Sequence, residues 1–303
     1  MLMVNDTYNT CCSACSGKLK NRGNISDGDI LTCESCGSSK LGMHNYESLK
    51  NQTGYGEAYL KALNPEKVNQ LEYIYYKINP ELMTGASLLD IGFGSGDFIN
   101  RLYKKGWNVA GVDCNHLAVE KIKSEGIDGF YGELGSEMNV DKTFDIITLW
   151  DVIEHIYDID KAMHQLNKLV KNDGKIFVIT PNADSILDTI GNLERNIFLG
   201  RSHKILDICL NRFHLQRFSE NGIKILFERC GFRVESISKI RLFSLKPDVY
   251  SKSFAPGIKS WTNISSLNGL ISRFLYKLLE LFNIKNKILL IASKNKKYDL
   301  IEN

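Results

Sequence analysis

A glycine-rich turn between an apolar segment and a helical one constrains the fold of this chain more than any other feature. Residues 88–98 have the sequence LLDIGFGSGDF, and the turn contains Gly92, Gly94 and Gly96. Glycine lets a backbone bend sharply and approach a ligand more closely than a residue with a Cβ atom allows. The segment therefore predicts a buried strand, a tight turn and a helix, with a ligand site at the carboxyl end of the strand.

Short apolar segments alternate with helical ones along the rest of the chain. Strands are predicted at 87–91, 107–113, 127–131, 144–150, 175–180 and 287–293. Helices are predicted at 97–105, at 115–125 and before the stop signal at 172–174. This alternation indicates an α/β fold with a doubly wound, mostly parallel sheet and helices on both faces. Ligands of such sheets bind beyond the carboxyl ends of the strands.

Acidic residues near the turn discriminate between ligand classes. Asp97 stands where a dinucleotide-binding motif has its third glycine, and Asp90 precedes the first glycine by two residues. A carboxylate at a helix N-terminus opposes a pyrophosphate, so these residues favour a ligand with an ammonium group over NAD. Asp113 ends the second strand and can accept hydrogen bonds from both hydroxyls of a ribose. Glu133 follows the third strand and is expected near an adenine edge.

At these residues the sequence resembles the class I S-adenosylmethionine-dependent methyltransferases. The resemblance is carried by LLDIGFGSGDF (88–98), GVD (111–113), FDIITLW with DVIEH (144–155) and NDGKIFVITPN (172–182). Phe93 departs from the small residue that many members have at its position. The resemblance implies a seven-stranded Rossmann-like sheet and S-adenosylmethionine as cofactor. The implied cofactor-binding residues are Asp90, Gly92, Gly94, Ser95, Gly96, Asp113, Cys114, Glu133, Leu134 and Trp150.

The segment HLQRFSENGIKILFERCGF (214–232) resembles the ubiquinone-biosynthesis O-methyltransferase-like branch of that family. The predicted organisation is a zinc ribbon at 1–45, a helical connector at 46–84 and a methyltransferase domain at 85–303. Two variable segments, at about 183–213 and 241–284, are expected to form a helical lid over the acceptor. A ribbon joined to such a domain is also similar to the deoxysugar C-methyltransferases, which carry a further C-terminal domain.

Five of the eight cysteines lie within the first 36 residues. Cys12 and Cys15 form one C-x2-C pair, and Cys33 and Cys36 form a second after a spacing typical of a four-thiolate zinc site. Each pair can form a tight turn that presents two sulfurs to one ion, and the ion would stabilise a segment too small for a core of its own. Cys11 is the alternative to Cys12 as a ligand. The remaining cysteines are expected to be buried apolar residues: Cys114, Cys209 and Cys230.

Three acid or histidine residues follow the strand predicted at 144–150. Asp151, Glu154 and His155 have i, i+3 and i+4 spacing, so they share one face if the segment is helical. In one interpretation these residues are purely structural and only shape the start of a helix beside the cofactor. In a second, His155 or His214 is a general base for the acceptor hydroxyl. In a third, Asp151, Glu154 and His155, with or without His214, hold magnesium that lowers the pKa of that hydroxyl. The resemblance permits this third role, although related enzymes tend to have Glu at the first position.

Charge and hydropathy limit which partners the chain can have. Residues 239–303 contain twelve Lys or Arg against four Asp or Glu, whereas the whole chain has a net charge of only +3. An apolar helical face at 267–282 is expected to pack on its own core or on a second copy in a homodimer. Peripheral contact with a membrane surface is the alternative. The longest apolar run is Ile288 to Ala292, far too short to span a bilayer. The N-terminus lacks the apolar region of a signal peptide, which predicts a cytoplasmic protein.

These observations predict methyl transfer to oxygen on a small-molecule or glycan-precursor acceptor. The first alternative is an RNA methyltransferase that grips its substrate with the ribbon. The first 45 residues carry four basic and four acidic side chains, which is a poor surface for phosphates, so nucleic acid is disfavoured. The second alternative is a binding module that keeps the cofactor fold without catalysis.

Overall fold

The computed structural model describes residues 10–25, 28–42, 68–69, 71–72, 85–185, 214–242 and 285–295. Most of the predicted connector lies outside these residues, and so do Cys209 and both predicted lid segments apart from 183–185 and 241–242. The apolar face at 267–282, on which the dimer and membrane predictions rest, also lies outside them. Among the described residues, no helix is long and apolar enough to cross a bilayer.

The described part of the chain contains two sheets, and the larger one has seven strands, which confirms the predicted fold class. Its strands and their helices follow in chain order: β4 (Ser87–Ile91), α1 (Asp97–Lys104), β5 (Asn108–Asp113), α2 (His116–Ser124), β6 (Asp128–Tyr131), β7 (Phe144–Trp150), α3 (Ile159–Leu169), β8 (Val170–Pro181), α4 (Glu220–Arg229), β10 (Phe232–Ile240) and β11 (Lys287–Lys294). A short 3-10 helix, Ile153–His155, follows β7. The numbers β1–β3 and β9 belong to the smaller sheet.

The strand order of the larger sheet is β10-β11-β8-β7-β4-β5-β6. β4 pairs in parallel with β5 on one side and with β7 on the other, so the carboxyl ends of these strands share one edge. β11 is antiparallel to both of its neighbours, which makes the sheet mixed. The order therefore reverses at β4, and the glycine turn lies at this switch point, where open α/β sheets bind ligands.

Helices cover both faces of the sheet and create two hydrophobic cores. One core contains Phe98, Ile99 and Leu102 of α1 together with Ala118, Val119 and Ile122 of α2. The other contains apolar residues of α3 and α4 and extends into the cysteine-containing segment through Cys12 and Ala14. The amphipathic pattern in the sequence predicted the boundaries of these helices to within a few residues. The main difference is β8, which begins at Val170 and runs through the predicted helix stop at 172–174.

The smaller sheet joins the N-terminal segment to the larger domain. β1 (Leu19–Ile25), β2 (Gly28–Cys33) and β3 (Ser39–Gly42) form an antiparallel meander. β3 also pairs with β9 (Gln216–Arg217), a strand that belongs to the segment preceding α4. The N-terminal unit, called the ribbon below, is therefore continuous by backbone pairing with the domain that carries the glycine turn.

Candidate functional site

The glycine turn has the backbone conformation that its sequence demands. Gly92, Gly94 and Gly96 have φ angles of 69°, 61° and 77°, in the left-handed region that side chains with a Cβ atom disfavour. A Cβ atom on Gly92 would lie 2.5 Å from Val152, and one on Gly96 would lie 2.7 Å from Ile122. Gly96 caps α1, so the first turn of that helix opens toward the edge of the sheet.

Asp113 fixes the position of the glycine turn. Its Oδ2 atom accepts a hydrogen bond of 2.8 Å from the backbone N–H of Gly94. Its Oδ1 atom accepts one of 2.8 Å from the N–H of Asn115, at the start of α2. Burial raises the pKa of this carboxyl, and the two N–H groups oppose that rise. The residue predicted to bind a ribose thus also joins the turn after β4 to the turn after β5 by hydrogen bonds.

Phe93, the residue that departs from the family pattern, has a specific place in the structure. It is buried, and its ring lies against Gly111 in the neighbouring strand. A Cβ atom at Gly111 would be only 2.5 Å from Cδ1 of Phe93. The absence of a side chain in β5 therefore makes room for a large residue in the turn of β4.

The other predicted cofactor residues lie at or near the same edge. Asp90 is buried, and its Oδ1 atom accepts a hydrogen bond of 2.6 Å from the hydroxyl of Thr148. Trp150 packs edge-on against Phe98, and its indole Nε1 has no hydrogen-bond partner among the described residues. The remaining members are Ser95 and Leu134, which are buried, and Glu133, which is half-buried.

Cys114 corrects a sequence-based expectation. It was expected to be a buried apolar residue, but it is exposed beside Asp113. It follows the last residue of β5, where the chain leaves the sheet toward α2, so its side chain is outside both cores. Cys230 is half-buried, which also falls short of the prediction.

Asp151 does not share a helical face with Glu154 and His155. It has a left-handed φ of 59°, and the helix after it is a single 3-10 turn at Ile153–His155. Its Oδ1 atom lies 2.5 Å from Nζ of Lys287, at the start of β11. The positive φ turns the chain sharply at the end of β7. The predicted i, i+3, i+4 arrangement is therefore replaced by an ion pair with a residue that the sequence did not single out.

Glu154 is completely buried beneath this ion pair. The hydroxyl of Thr180 donates a hydrogen bond of 2.9 Å to its Oε2 atom, and its Oε1 atom has no partner among the described residues. Burial and the nearby charge of Asp151 together raise the pKa of Glu154 to about 7, and the charge of Lys287 opposes the shift. The group thus titrates in the neutral range.

Two histidines from distant parts of the chain meet beside Glu154. The rings of His155 and His214 are 4.9 Å apart between centroids, in an edge-to-face arrangement. Nδ1 of His214 is buried and has no partner in the described part of the chain. Burial keeps the pKa of His214 well below its usual range, and His155 and Lys287 act in the same direction. The His214 ring is therefore uncharged at pH 7.

One ligand atom from each of Glu154, His155 and His214 lies within 4.8 Å of the others. Two imidazoles and one carboxylate are a donor set suited to transition metals, whereas magnesium prefers oxygen ligands. Asp151, which was to supply a further oxygen, is paired with Lys287. The residues present therefore fit magnesium poorly, and no step is assigned to it.

The four predicted zinc ligands converge in the ribbon. Sγ of Cys12 is 3.6 Å from Sγ of Cys36, and Sγ of Cys15 is 3.4 Å from Sγ of Cys33. All four sulfurs lie within 4.8 Å of one another, and bonds of 2.3 Å in a tetrahedron would place them about 3.8 Å apart. The Cys12 thiol beside it lowers the pKa of Cys36 to about 4. Cys11 is exposed and lies outside the cluster. The four thiols fit a tetrahedral ion.

The domain that carries the glycine turn matches a known protein family. A family model described as a methyltransferase domain matches residues 59–237, more than half of the chain. The chain belongs to this methyltransferase family. The match spans the glycine turn, Asp113, and the segments that carry both histidines. It supports S-adenosylmethionine as the cofactor.

Individual sequence relatives of this methyltransferase domain share only a modest sequence identity with this chain and match less than half of it. A ubiquinone biosynthesis O-methyltransferase from Pseudomonas aeruginosa is 27% identical over 132 residues, which are 41% of this chain and 54% of that protein. One from Brucella anthropi is 30% identical over 135 residues, 41% of this chain and 54% of that protein. The chain thus spans about half the length of these relatives. The YcgJ protein from Bacillus subtilis is 16% identical over 77% of this chain and 99% of its own, with a TM-score of 0.49.

Sequence reasoning missed two members of the site, Lys287 and Thr180. Lys287 was noted only as one charge in a basic C-terminal region, and it is in fact buried. Thr180 was placed at the end of a strand with no role. Its position at the carboxyl end of β8, next to β7, was the available signal, because the side chains there line the same edge as the glycine turn.

Proposed function

We propose that this chain transfers a methyl group from S-adenosylmethionine to a hydroxyl oxygen of a small molecule, with sugar and glycan-precursor hydroxyls included. The observation that carries the proposal is the meeting of His155 and His214, 4.9 Å apart, at the edge that also holds the glycine turn. O-methylation is further supported by the relatives, which are O-methyltransferases by name.

The residues near the glycine turn fit this cofactor. The three left-handed glycines leave backbone without side chains beside Asp90, where the methionyl part would lie. Asp113 is the candidate ribose ligand, and Leu134 with Glu133 would border the adenine. The indole N–H of Trp150, which has no partner among the described residues, is a further donor at this edge. S-adenosylmethionine supplies a methyl group on a positively charged sulfur, which becomes a neutral thioether when an acceptor oxygen takes the methyl.

His214 is the proposed general base. A hydroxyl oxygen that forms a bond to carbon must lose its proton, and the uncharged imidazole of His214 has one ring nitrogen with a lone pair that can take it. The neighbouring His155 ring holds His214 in place by edge-to-face contact. Asp151 favours the charged form of His214, so it would stabilise the imidazolium that results. General bases of this kind contribute about 10²–10⁴-fold to a rate.

We also propose that Cys12, Cys15, Cys33 and Cys36 hold a structural zinc ion. The donor set is four thiols whose sulfurs lie within 4.8 Å of one another, and zinc favours four thiolates in a tetrahedron. The buried side chain of Lys40 donates hydrogen bonds to the carbonyl of Cys11 and the hydroxyl of Ser13, so it supports the first of the two cysteine turns.

The function is tested by transfer of labelled methyl from S-adenosylmethionine into a host cell extract, fractionated with and without RNase. We expect label in small-molecule fractions that survives RNase. His214→Asn should reduce transfer by about 100-fold or more while cofactor affinity stays within about twofold. His164→Asn, on an exposed position of α3, is the matched control and should retain full transfer. RNase-sensitive label, or full transfer by His214→Asn, would overturn the proposal.

A further inference from the structure

The strand that follows His214 is held between the ribbon and the candidate site. β9 begins two residues after His214 and pairs with β3, with Arg217 opposite Ser39 and Gln216 opposite Lys40. The N–H of Leu41 donates a further hydrogen bond of 3.1 Å to the carbonyl of Leu215. On its other side β9 packs against the 3-10 turn that carries Glu154 and His155.

The second cysteine turn is bonded directly to the segment after β9. The hydroxyl of Ser219 donates a hydrogen bond of 2.5 Å to the carbonyl of Cys36 and accepts one of 2.9 Å from the N–H of Gly222. The N–H of Ser219 donates to the hydroxyl of Ser38 at 3.2 Å. The residue that caps α4 is thus the residue that fixes the second cysteine turn.

The first cysteine turn is bonded to the other end of α4. The guanidinium of Arg229 donates hydrogen bonds to the carbonyls of Ala14 and Ser13, at 2.9 and 2.8 Å. It also pairs with Asp160 of α3 at 2.6 Å. Both turns that would surround the ion are therefore attached to the catalytic domain, one at each end of α4.

We infer that the ribbon is a positioning element of the candidate site: its four-cysteine centre, through β3 and α4, fixes β9 and with it His214. A ribbon that served only to grip a separate partner would need none of these contacts with the segment beside His214. β9 has only two residues, and its strand pairing is with β3. The next residue, Phe218, accepts a hydrogen bond from the N–H of Ala183, so β3 supplies the ribbon side of this support. The role of His214 in catalysis rests on the proposed function, but its placement by the ribbon does not.

Gly222 offers a way to separate the ribbon from the domain without touching a cysteine. A Cβ atom at this position would lie 1.8 Å from Oγ of Ser38 and 3.1 Å from its Cβ. Gly222→Ala therefore pushes Ser38, and the second cysteine turn that precedes it, away from α4, although alanine itself favours the helix. Ser38→Gly removes both opposing atoms, so the double variant should restore close packing. Lys224→Ala, at an exposed position of the same helix, is the matched control.

The test is amide hydrogen exchange of the zinc-loaded 303-residue chain, followed in the peptide that covers residues 214–219. We expect exchange at least about tenfold faster in Gly222→Ala, and after removal of zinc by a chelator, with recovery in the Gly222→Ala, Ser38→Gly double variant. The peptide that covers 88–98 and the affinity for S-adenosylhomocysteine should stay within about twofold. The pKa of His214, measured by NMR of labelled histidine, should rise toward its usual value as the segment opens to water.

Unchanged exchange at 214–219 in Gly222→Ala and in the zinc-free protein would overturn the inference. A Gly222→Ala variant that fails to fold would show no binding of S-adenosylhomocysteine, and Arg229→Gln then replaces it, because it loosens the first cysteine turn instead. Faster exchange together with an absence of methyl transfer by the unaltered protein would refute the proposed function alone. Methyl transfer that depends on His214 while exchange stays unchanged would refute the positioning role alone.

Discussion

Lys287 and Asp151 form a buried ion pair, with Nζ and Oδ1 2.5 Å apart. Their side chains are only 10% and 13% exposed. The pair joins the end of β7 to the start of β11, two strands that β8 separates. It also places a positive charge beside Glu154, at the place where the sequence suggested a divalent ion. The chain therefore supplies a cation of its own to the acidic residues at this edge.

Replacement of Lys287 by methionine should destabilise the protein by about 3 kcal/mol, because it leaves the carboxylate of Asp151 buried without its cation. The measurement is the free energy of unfolding from denaturant titration. Asp151→Asn combined with Lys287→Met should recover much of the loss, since asparagine is uncharged and tolerates the left-handed φ of this position. If the loss of stability in the double variant equalled the sum of the losses in the two single variants, Asp151 and Lys287 would not stabilise each other.

The sheet could be predicted from the sequence because its signals are local. The strand at 144–150 was predicted at its observed bounds, and the helix at 97–105 to within one residue. Apolar runs, cap residues and glycine stops lie next to one another in the chain, so they are visible without a fold. The error at 172–174 has the same origin, since Asn-Asp-Gly is a typical stop signal that pairing with β7 overrides.

The site was only partly predictable, because its decisive contacts join distant residues. The glycine turn and Asp113 follow from one motif, whereas Lys287 meets Asp151 across 136 positions of chain. The bond between Ser219 and Cys36 spans 183 positions. No spacing rule connects such residues. They become neighbours only once the order of the strands is known.

Replacement of Glu154 by glutamine should change the pH dependence of stability. The folded pKa of Glu154, about 7, lies above its usual value of 4.5, so the folded chain binds a proton that the unfolded chain releases. The stability due to this group is therefore fully present below about pH 4.5 and is lost as the pH rises through 7. The free energy of unfolding of Glu154→Gln should exceed that of the unaltered protein by about 3 kcal/mol at pH 8, and by less than about 1 kcal/mol at pH 5.

Denaturant titrations at these two pH values measure the effect. Glutamine retains an oxygen that can accept the hydrogen bond from Thr180, so the packing of the site is preserved. Glu137→Gln, at an exposed position, serves as the control and should show no such difference between the two pH values. A Glu154→Gln variant with the same gain at both pH values would mean that Glu154 does not titrate between them.

The two adjacent cysteines at the start of the ribbon should differ in their effect on zinc content. Cys12 is buried and its sulfur belongs to the four-thiol cluster, whereas Cys11 is exposed and outside it. Cys11→Ser should therefore keep about one zinc ion per chain, and Cys12→Ser should lose most of it. Elemental analysis of the purified variants gives the stoichiometry. Zinc loss from Cys11→Ser with retention in Cys12→Ser would assign the ligand to the other cysteine.

Replacement of Asp113 by asparagine should weaken cofactor binding at least about tenfold, as measured by calorimetric titration with S-adenosylhomocysteine. Both carboxylate oxygens of Asp113 accept backbone hydrogen bonds, from Gly94 and from Asn115. An asparagine side chain has one acceptor oxygen, so its amide group must face one of these two N–H donors. The variant therefore loses one of the two hydrogen bonds that join the glycine turn to the start of α2, and it also loses the carboxylate proposed to bind the ribose. Asp128→Asn, on an exposed side chain of β6, should leave the affinity unchanged. Equal affinities for the two variants would mean that Asp113 neither holds the turn nor touches the cofactor.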